Sequence, residues 1–584
     1  MPSHDSRPWS LPRPLLATVC LVTCGVGNFG FADPPAQAVR MNTVGFRPLS
    51  PKLAIVAGVP TAGKFVIRES GSGREVLSGS LVPHRSQETP DGTLWLADFS
   101  SVQQAGNYLL EVEGLDTAAP ELQVADEIYN RPFYASVRAL YLLRCGTAVH
   151  AYWNGDEFSH EACHLDDASL AHADAGQERQ HQDGTGGWHD AGDYNKYTVN
   201  GAFTAGMMLR AWEDFRDRLE PLRLDLPESD NEIPDYLDEI RWELEWLLKM
   251  QAEDGRVYHK LSTLDFGGFV LPEHETAERF FSPWSSAGTA DLVAVLAQAS
   301  RVYREFDISF ADRCLAAAKK SGRLLQEQPA NHPPDLSAFN TGPYDSPDED
   351  DRLWAAAELW ETTGDPIYLE ELERRIASSL NDDQRVGPVM KPDWDWQNVS
   401  NLGLVSYLKS ARPGRDPELV GRLREDAIQA ANSIVNASQG HPYRRPLGDT
   451  YYWGCNGTVA RQAILLHLAS QLTGDQKYPA TILQAINHLF GQNPFGRSYV
   501  TGVGQHPPLF PHDRRSGGDD VAAPWPGYLV GGPWPKATDW YDVEEDYRTN
   551  EVAINWNGAL IYALAGFVEP DQPLTTATPK SVKE

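Results

Sequence analysis

Residues 186–197, GGWHDAGDYNKY, hold two carboxylates three positions apart, Asp190 and Asp193, with glycines at 187 and 192. A backbone free to turn sharply at those glycines can aim both acids at one water molecule and let them share its activation. The same composition also suits a plain turn ahead of a helix. A second acidic stretch, residues 539–560, contains Glu551 directly before the apolar run VAINWNGALIYALAGF. A carboxyl beside dry surroundings keeps its proton to higher pH and can serve as a general acid; alternatively it favours the start of a helix through the dipole. Between them, SYVTGVGQHPPLFPHDRRS (residues 498–516) offers His512 and Arg514 in a Gly/Pro-rich loop. These two can hydrogen-bond hydroxyl groups or stand solvated. Finally, Cys145, Cys163, His164 and His189 supply two sulfurs and two nitrogens, the complement of a closed tetrahedral zinc site. Their spacing is wide, and in an exported protein a Cys145–Cys163 disulfide is the competing reading.

The elements that must position these groups change character along the chain. From Val39 to about Ala125, runs such as KLAIVAG, KFVIRES, EVLSGSL, TLWLADFS and GNYLLEVEG alternate with Gly- and Pro-containing turns every ten or so residues. This predicts a small antiparallel sandwich. After Ile128 the spacing becomes helical: in residues 231–250, Ile233, Leu237, Ile240, Leu244 and Leu248 recur every three or four positions. Similar helices are predicted at 199–217, 287–304, 309–326, 352–362, 416–435, 457–472 and 479–490. A weak repeat joins some of them. TGDPIYLEEL from Thr363 and TGDQKYPATI from Thr473 each follow one apolar helix and precede another, so the glycine can end the first and the aspartate can cap the second. FDISFADRCL from Phe306 is a looser copy. Ten or more helices joined as hairpins make a toroid with an appended sandwich; an irregular α domain is the alternative.

Bulk properties narrow the partners. With 81 acidic against 50 basic side chains and a net charge of −31 over 584 residues, a nucleic acid would be repelled. The 17 Trp and 22 Tyr have the flat apolar faces and polar tips that suit sugar rings. Arg7 and Arg13 precede the uncharged stretch PLLATVCLVTCGVGNFGFA, which reads as a secretory signal cut near Ala32. LVTCG around Cys24 also resembles a lipoprotein signal, although Thr23 suits that modification poorly. No other stretch has the roughly 20 apolar residues of a membrane helix. Removal of the signal leaves Cys145, Cys163, Cys314 and Cys455, too few for a disulfide scaffold.

GGWHDAGDYNKY, the SYVTG to PHDR loop and the segment Tyr547 to Asn557, in that order and at those separations, resemble the three signature regions of glycoside hydrolase family 9, a cellulase family of inverting enzymes. VRMNTVGFRP and GNYLLEVEG resemble the immunoglobulin-like module of one bacterial branch of it. The resemblance covers nearly the whole mature chain. It implies a multi-domain fold: an immunoglobulin-like β-sandwich (residues 39–125) that braces an all-α (α/α)6 barrel (128–568), after a signal peptide (1–32) and before a C-terminal tail (569–584). It further implies that Asp193 is the general base, that Asp190 helps hold the same water and that Glu551 is the general acid. His512 and Arg514 match residues that hydrogen-bond the sugar beside the cleaved bond, and Tyr547 matches an aromatic cleft position. Asp513 departs from the second histidine of many members, and His506 from the usual Asn, Lys or Arg, which bears on substrate choice.

RCGTA and HEACH resemble a zinc site of the immunoglobulin-bearing branch, with Cys145, Cys163, His164 and His189 as ligands. Because His189 adjoins Asp190, such a metal would clamp the loop of the base in a structural role. SGGDDVAAPWPG resembles a family calcium loop using Ser516, Asp519 and the Val521 carbonyl; an acidic surface turn is the alternative. The chemistry itself calls for no cofactor. The resemblance thus implies a secreted or periplasmic endo-β-1,4-glucanase for soluble or amorphous glucan, since no further binding module or linker follows the barrel. The alternatives are an exo-acting cellodextrinase, β-glucosidase or exo-β-glucosaminidase on the same scaffold, an inactive carbohydrate-binding protein, and a structural surface protein.

Overall fold

The structure is a computed structural model and describes residues 38–58, 63–84, 93–115, 117–170, 180–382 and 387–570. The expected signal peptide, and the expected tail beyond residue 570, lie outside the described residues.

Two four-stranded sheets form the N-terminal sandwich: β1 (Val39–Arg40), β2 (Leu53–Val56), β6 (Leu94–Asp98) and β5 (Val82–His84) in one, β4 (Glu75–Ser80), β3 (Lys64–Glu69), β7 (Gly106–Val112) and β8 (Glu121–Val124) in the other. Every pairing within them is antiparallel. Period-two alternation turns Tyr108, Leu110 and Val112 of β7 inward, where they meet Phe65, Ile67, Val56 and Trp95. The strands missing from the sequence reading, β1, β5 and β8, are two to four residues long, too short for a pattern to register. The sandwich is bonded to the helical domain. Asn42 Nδ2 donates to Asn487 Oδ1 at 2.9 Å, Thr43 N donates to Phe490 O at 2.9 Å, and Ile55, Ala57 and Leu94 pack on Tyr443.

The helices run α1 (Asn130–Tyr141), α2 (Thr198–Leu219), α3 (Asp235–Lys249), α4 (Ser286–Tyr303), α5 (Ile308–Glu327), α6 (Glu349–Thr363), α7 (Pro366–Leu380), α8 (Ser400–Lys409), α9 (Pro417–Gly440), α10 (Cys455–Thr473), α11 (Lys477–Leu489), the short α12 (Arg514–Gly518) and α13 (Tyr547–Asn550), and α14 (Ile554–Ala565). Helices α2, α4, α6, α8, α10 and α14 touch in sequence and close a ring, and α1, α3, α5, α7, α9 and α11 pack outside it. This is the (α/α)6 barrel. The two rings differ in sequence as their burial demands. On inner helix α4 every residue except Arg301 is buried, whereas outer helix α7 buries only Leu372, Ile376 and Leu380, one stripe at four-residue spacing.

The repeat does what its residues predict. Gly364 (φ 70°) and Gly474 (φ 76°) end α6 and α10 in the left-handed conformation, while Asp365 and Asp475 accept hydrogen bonds from Ile367 N and Lys477 N. In the looser copy Asp307 caps α5 through Phe310 N. A hairpin, β9 (Val149–Trp153) and β10 (Asp156–His160), leads from α1 towards Cys163, and a small sheet of β11 (Ser169–Leu170), β14 (Phe280–Phe281), β13 (Lys260–Ser262) and β12 (Lys196–Tyr197) delivers the chain into α2. The loops on this side all enter the N-terminal ends of inner helices.

Candidate active site

The three acids singled out in the sequence arrive at one cleft. Asp190 and Asp193 precede α2, Glu551 precedes α14, and all three line an empty volume of about 800 Å³ together with Tyr197, Phe266, Tyr344, Trp396, Tyr452, Trp453, Arg461 and Trp556. Backbone hydrogen bonds lock the motifs to one another. Ile554 N donates to Asp190 O at 2.9 Å, Arg514 N to Gly192 O at 3.1 Å and His512 N to Asn550 O at 2.9 Å, and residue pairs Ala191/Ala553 and His512/Glu551 form isolated bridges. The spacing of the acids is thereby set by main chain rather than by side-chain choice.

The glycines of the first motif have two different tasks. Gly187 does turn the chain, at φ 75°. Gly192 needs no unusual φ; a Cβ there would stand 2.3 Å from His512 O, so its missing side chain lets the base loop lie flat on the His512 segment. The sequence reading of Gly192 as a turn residue is corrected to close approach.

Asp190 and Asp193 are held unequally. Both Asp190 oxygens are taken, Oδ1 by Asn200 Nδ2 at 2.6 Å and Oδ2 by the Tyr344 hydroxyl at 2.8 Å. Asn195 and the Tyr197 hydroxyl both donate to the same Asp193 oxygen, Oδ2, at 2.5 and 3.1 Å, so these bonds leave Oδ1 uncommitted. Burial, then the nearby charge of Asp193, pushes Asp190 up to about 8 against the hydrogen bonds from Asn200 and Tyr344. Burial likewise raises Asp193, with the Arg514 guanidinium opposing it. Glu551, hydrogen-bonded by Trp453, is raised well above the usual carboxyl range by burial and by the charges of Asp193 and Asp190, against Arg514. Burial outweighs the neighbouring cations, Arg514 chief among them, and holds all three acids above the usual carboxyl range, so at least one proton is retained.

His512, Arg514 and Tyr547 border this cleft. The Tyr547 ring lies 6.0 Å from that of Trp453 and 6.1 Å from that of His512. His512 Nδ1 donates to Glu544 O at 2.6 Å, and burial lowers the ring's affinity for a second proton, which leaves Nε2 as an acceptor. The Arg514 guanidinium is buried over the Phe266 ring at 5.6 Å, and its Nη1 has no hydrogen-bonding partner. Asp513 turns away from the cleft: its carboxylate accepts from Arg515 Nε at 3.0 Å and from Ser516 Oγ at 2.8 Å, and it caps α12. Its departure from the signature is therefore structural. Tyr344, Asn200, Trp396 and Trp453 escaped the sequence reading. The first sits at φ 44° in a Gly/Pro-rich loop, an uncommon conformation for tyrosine, with its ring 4.7 Å from Tyr197 and 4.9 Å from Trp396.

A model of glycosyl hydrolase family 9 matches residues 129–564, and a model of the cellulase N-terminal ig-like domain matches residues 34–117. The chain belongs to glycoside hydrolase family 9. Endoglucanase D of Acetivibrio thermocellus is 48% identical over 538 residues, 92% of this chain and 84% of that protein. Among solved structures, a metagenome-derived glycoside hydrolase family 9 endoglucanase superposes with a TM-score of 0.84 at 33% identity, covering 91% of this chain and 99% of the other. The Zn-binding triple mutant of the family 9 endoglucanase J30 superposes with a TM-score of 0.81 at 30% identity, covering 90% and 99%. The protein is accordingly a glycoside hydrolase with an immunoglobulin-like domain ahead of an (α/α)6 barrel, and none of its helices, among the described residues, is long and apolar enough to cross a membrane.

Behind the base loop of this family 9 enzyme, ligand atoms of Cys145, Cys163, His164 and His189 lie within 4.8 Å of one another, and the two cysteines are not bridged. Cys145 Sγ stands 3.7 Å from His164 Nδ1, Cys163 Sγ 3.8 Å from His189 Nε2, and the two nitrogens are 3.4 Å apart. Ligands at about 2.0–2.3 Å from one tetrahedral centre are separated by about 3.3–3.8 Å, so the group fits zinc in size as well as in chemistry. Glu275 Oε2 lies 3.4 Å from His164 Nε2, the usual outer partner of a metal-bound histidine. The second expected metal loop has only oxygen donors, as calcium prefers. Each Asp519 oxygen accepts one hydrogen bond, from Val521 N and Trp525 Nε1, and Ser516 Oγ bonds Asp513.

Proposed function

We propose that this enzyme is an endo-acting β-1,4-glucanase that inverts configuration, with Asp193 as general base, Asp190 holding the same water and Glu551 as general acid. The observation that carries the reading is the backbone tie between the three motifs, which holds two aspartates and a proton-retaining glutamate in one aromatic-walled cleft. Asp193 keeps an oxygen free to take a proton, whereas Asp190 has both oxygens engaged and serves to orient. Water attacks the anomeric carbon as its proton passes to Asp193, Glu551 gives its proton to the glycosidic oxygen, and that C–O bond breaks in the same displacement. A carboxyl separation of about 6.5–9.5 Å leaves room for the water, and no covalent intermediate forms. His512 Nε2 and Arg514 Nη1 offer an acceptor and a donor to sugar hydroxyls beside the bond, and Tyr547 extends the aromatic wall. The 48% identity to Endoglucanase D supports endo cleavage of a β-1,4-glucan, and the leader-like residues 1–32 belong to a secreted enzyme.

In the same reading Cys145, Cys163, His164 and His189 hold a structural zinc, with every position filled by protein, and Ser516, Asp519 and the Val521 carbonyl hold calcium. Zinc would fix His189, and through it the start of the Asp190 loop. Metal analysis should find about one zinc per chain, lost in Cys163→Ser; no zinc together with a Cys145–Cys163 disulfide in peptide maps overturns the site. A melting temperature that falls on removing calcium with a selective chelator supports the second loop, and an unchanged one removes it.

Hydrolysis of carboxymethylcellulose and cellohexaose, followed by viscosity and NMR, tests the activity. Fast internal cuts that release α-anomers are expected. Release of terminal sugars, or preference for chitosan oligomers, overturns the substrate assignment, and β-anomers overturn the mechanism.

A further inference from the structure

Beyond the cleft, the ordinary sorting of residues is inverted on one surface. In Tyr541-Asp542-Val543 the aspartate points in and its neighbours point out: the Asp542 side chain is 4% exposed, Tyr541 50% and Val543 44%. The facing segment does the same, with Leu509 50% and Phe510 44% exposed. An exposed large apolar group set over a buried charge is the informative exception to the usual rule.

The buried half of this arrangement is a rigid polar frame. The Asp542 carboxylate pairs with Arg497 and accepts from Leu509 N and Phe510 N, both at 3.0 Å. Asn550 Nδ2 donates to Phe510 O at 2.7 Å and to Asp542 Oδ1 at 3.3 Å, and Tyr541 N reaches Thr549 Oγ1 at 3.4 Å. The frame therefore fixes the outward side chains and, through Asn550, abuts Glu551. It is continuous with the cleft as well, because His512 is bonded to Glu544 O, Tyr547 packs on His512, and Trp453 packs on Tyr547 and lines the cleft.

We infer that Leu509, Phe510, Tyr541 and Val543 form a shelf that binds the part of a β-glucan chain protruding from the cleft. This rests on the proposed glucanase reading and extends it from the cleaved bond to the length of the polymer. Apolar sugar faces stack on aromatic side chains, and a shelf whose main chain is already fixed by hydrogen bonds loses less entropy on contact. The net charge of −31 would repel an anionic polymer, so the fitting occupant is a neutral chain.

The test compares Phe510→Ser/Tyr541→Ser with wild type on cellotetraose, too short to occupy cleft and shelf together, and on a long soluble mixed-linkage β-glucan. The expected result is an unchanged kcat/KM for the tetraose and a KM for the polymer raised about 5- to 150-fold, the loss of two aromatic contacts worth about 0.5–1.5 kcal/mol each. Equal effects on both substrates, or none, overturn the shelf. Wild type that hydrolyses neither substrate defeats the glucanase reading instead. As a check independent of folding, Tyr541→Ala in the Glu551→Gln background should migrate faster than Glu551→Gln in gels containing the β-glucan; equal retardation overturns the inference. Sedimentation that finds a wild-type dimer and a monomeric double variant would make the surface a self-association face and overturn it too.

Discussion

Both ends of the barrel bury carboxylates, and the two ends treat them in opposite ways. At the C-terminal ends of the inner helices, Glu213 and Asp214 of α2 and Glu358 of α6 meet Arg210, Arg301 and Lys409. Arg301 reaches Glu213 and Glu358 at 2.6 Å each, Arg210 reaches Asp214 at 2.8 Å and Lys409 closes on Asp214 at 2.5 Å. Burial works to raise Asp214, but Arg210 and Lys409 outweigh it and hold the group down at about 2; against burial, Arg301 and Arg210 likewise lower Glu213, while burial still prevails at Glu358. At the N-terminal ends, Arg514 is the chief cation opposing the rise of Asp193 and Glu551, and burial wins at all three acids. Burial alone does not make an acid reactive. Whether a matched cation is buried beside it decides between a strut and a proton donor.

Mutations at the two ends should therefore fail in different ways. The largest effect is expected for Glu551→Gln, which removes the proton donor: kcat/KM on carboxymethylcellulose should fall about 10²–10⁴-fold. Because the raised Glu551 opposes folding at pH values above its unfolded pKa, that variant should melt no lower than wild type at neutral pH; full activity would break the comparison.

Arg301→Met, at the other end, takes from the buried Glu358 its ion-pair partner. Glu213 keeps Arg210 at 3.1 Å, so Glu358 is the charge left without a cation; the variant should cost about 3 kcal/mol in urea unfolding while the folded enzyme keeps its turnover at low temperature. Stability within 1 kcal/mol of wild type, at about that precision, would mean the far-end ions are not paired as described.

The pH dependences should also separate. Activity requires protonated Glu551, so kcat/KM should fall on the alkaline side as pH rises through its raised pKa. Asp214 is depressed instead. Its stabilisation is present above the unfolded value of about 4 and is lost as pH falls towards about 2. In the proposed mechanism activity is lost from high pH as Glu551 ionises and from low pH as Asp193 takes a proton, whereas this part of the stability is lost only from low pH, which pH–rate profiles and urea melts between pH 2 and 9 would resolve.

The smallest effect sharpens the contrast within the catalytic end. Tyr344→Phe deletes one of the two donors to Asp190 and should lower kcat by about tenfold, the worth of one charge-assisted hydrogen bond of about 1.5 kcal/mol, with little change in KM or melting temperature.

Much of this was legible in the sequence, for identifiable reasons. The helix hairpins announced themselves because apolar spacing, Gly364 and Gly474, the cap at Asp365 and the Asp475 bond to Lys477 N just ahead of α11 are local signals. Helices α1 and α8 were missed. The residues of α8 are buried almost all round, which weakens the amphipathic stripe on which periodicity depends. Asp190, Asp193 and Glu551 stood out through unusual local company, whereas Tyr344 and Trp396 lie in separate loops and become neighbours only when the ring closes.

By itself the sequence determined the division into a strand-patterned module and a helical one, the helix ends, and which residues have the chemistry to hold a proton, a hydroxyl or a metal. Those are consequences of side-chain type and of contacts a few residues apart. Only the tertiary structure decided that Asp193 keeps a free oxygen while Asp190 does not, that Gly192 serves close approach, that Asp513 faces away from the cleft, and that the far-end acids are neutralised. Each of these depends on groups tens to hundreds of positions distant, and on how much water the packed barrel leaves between them.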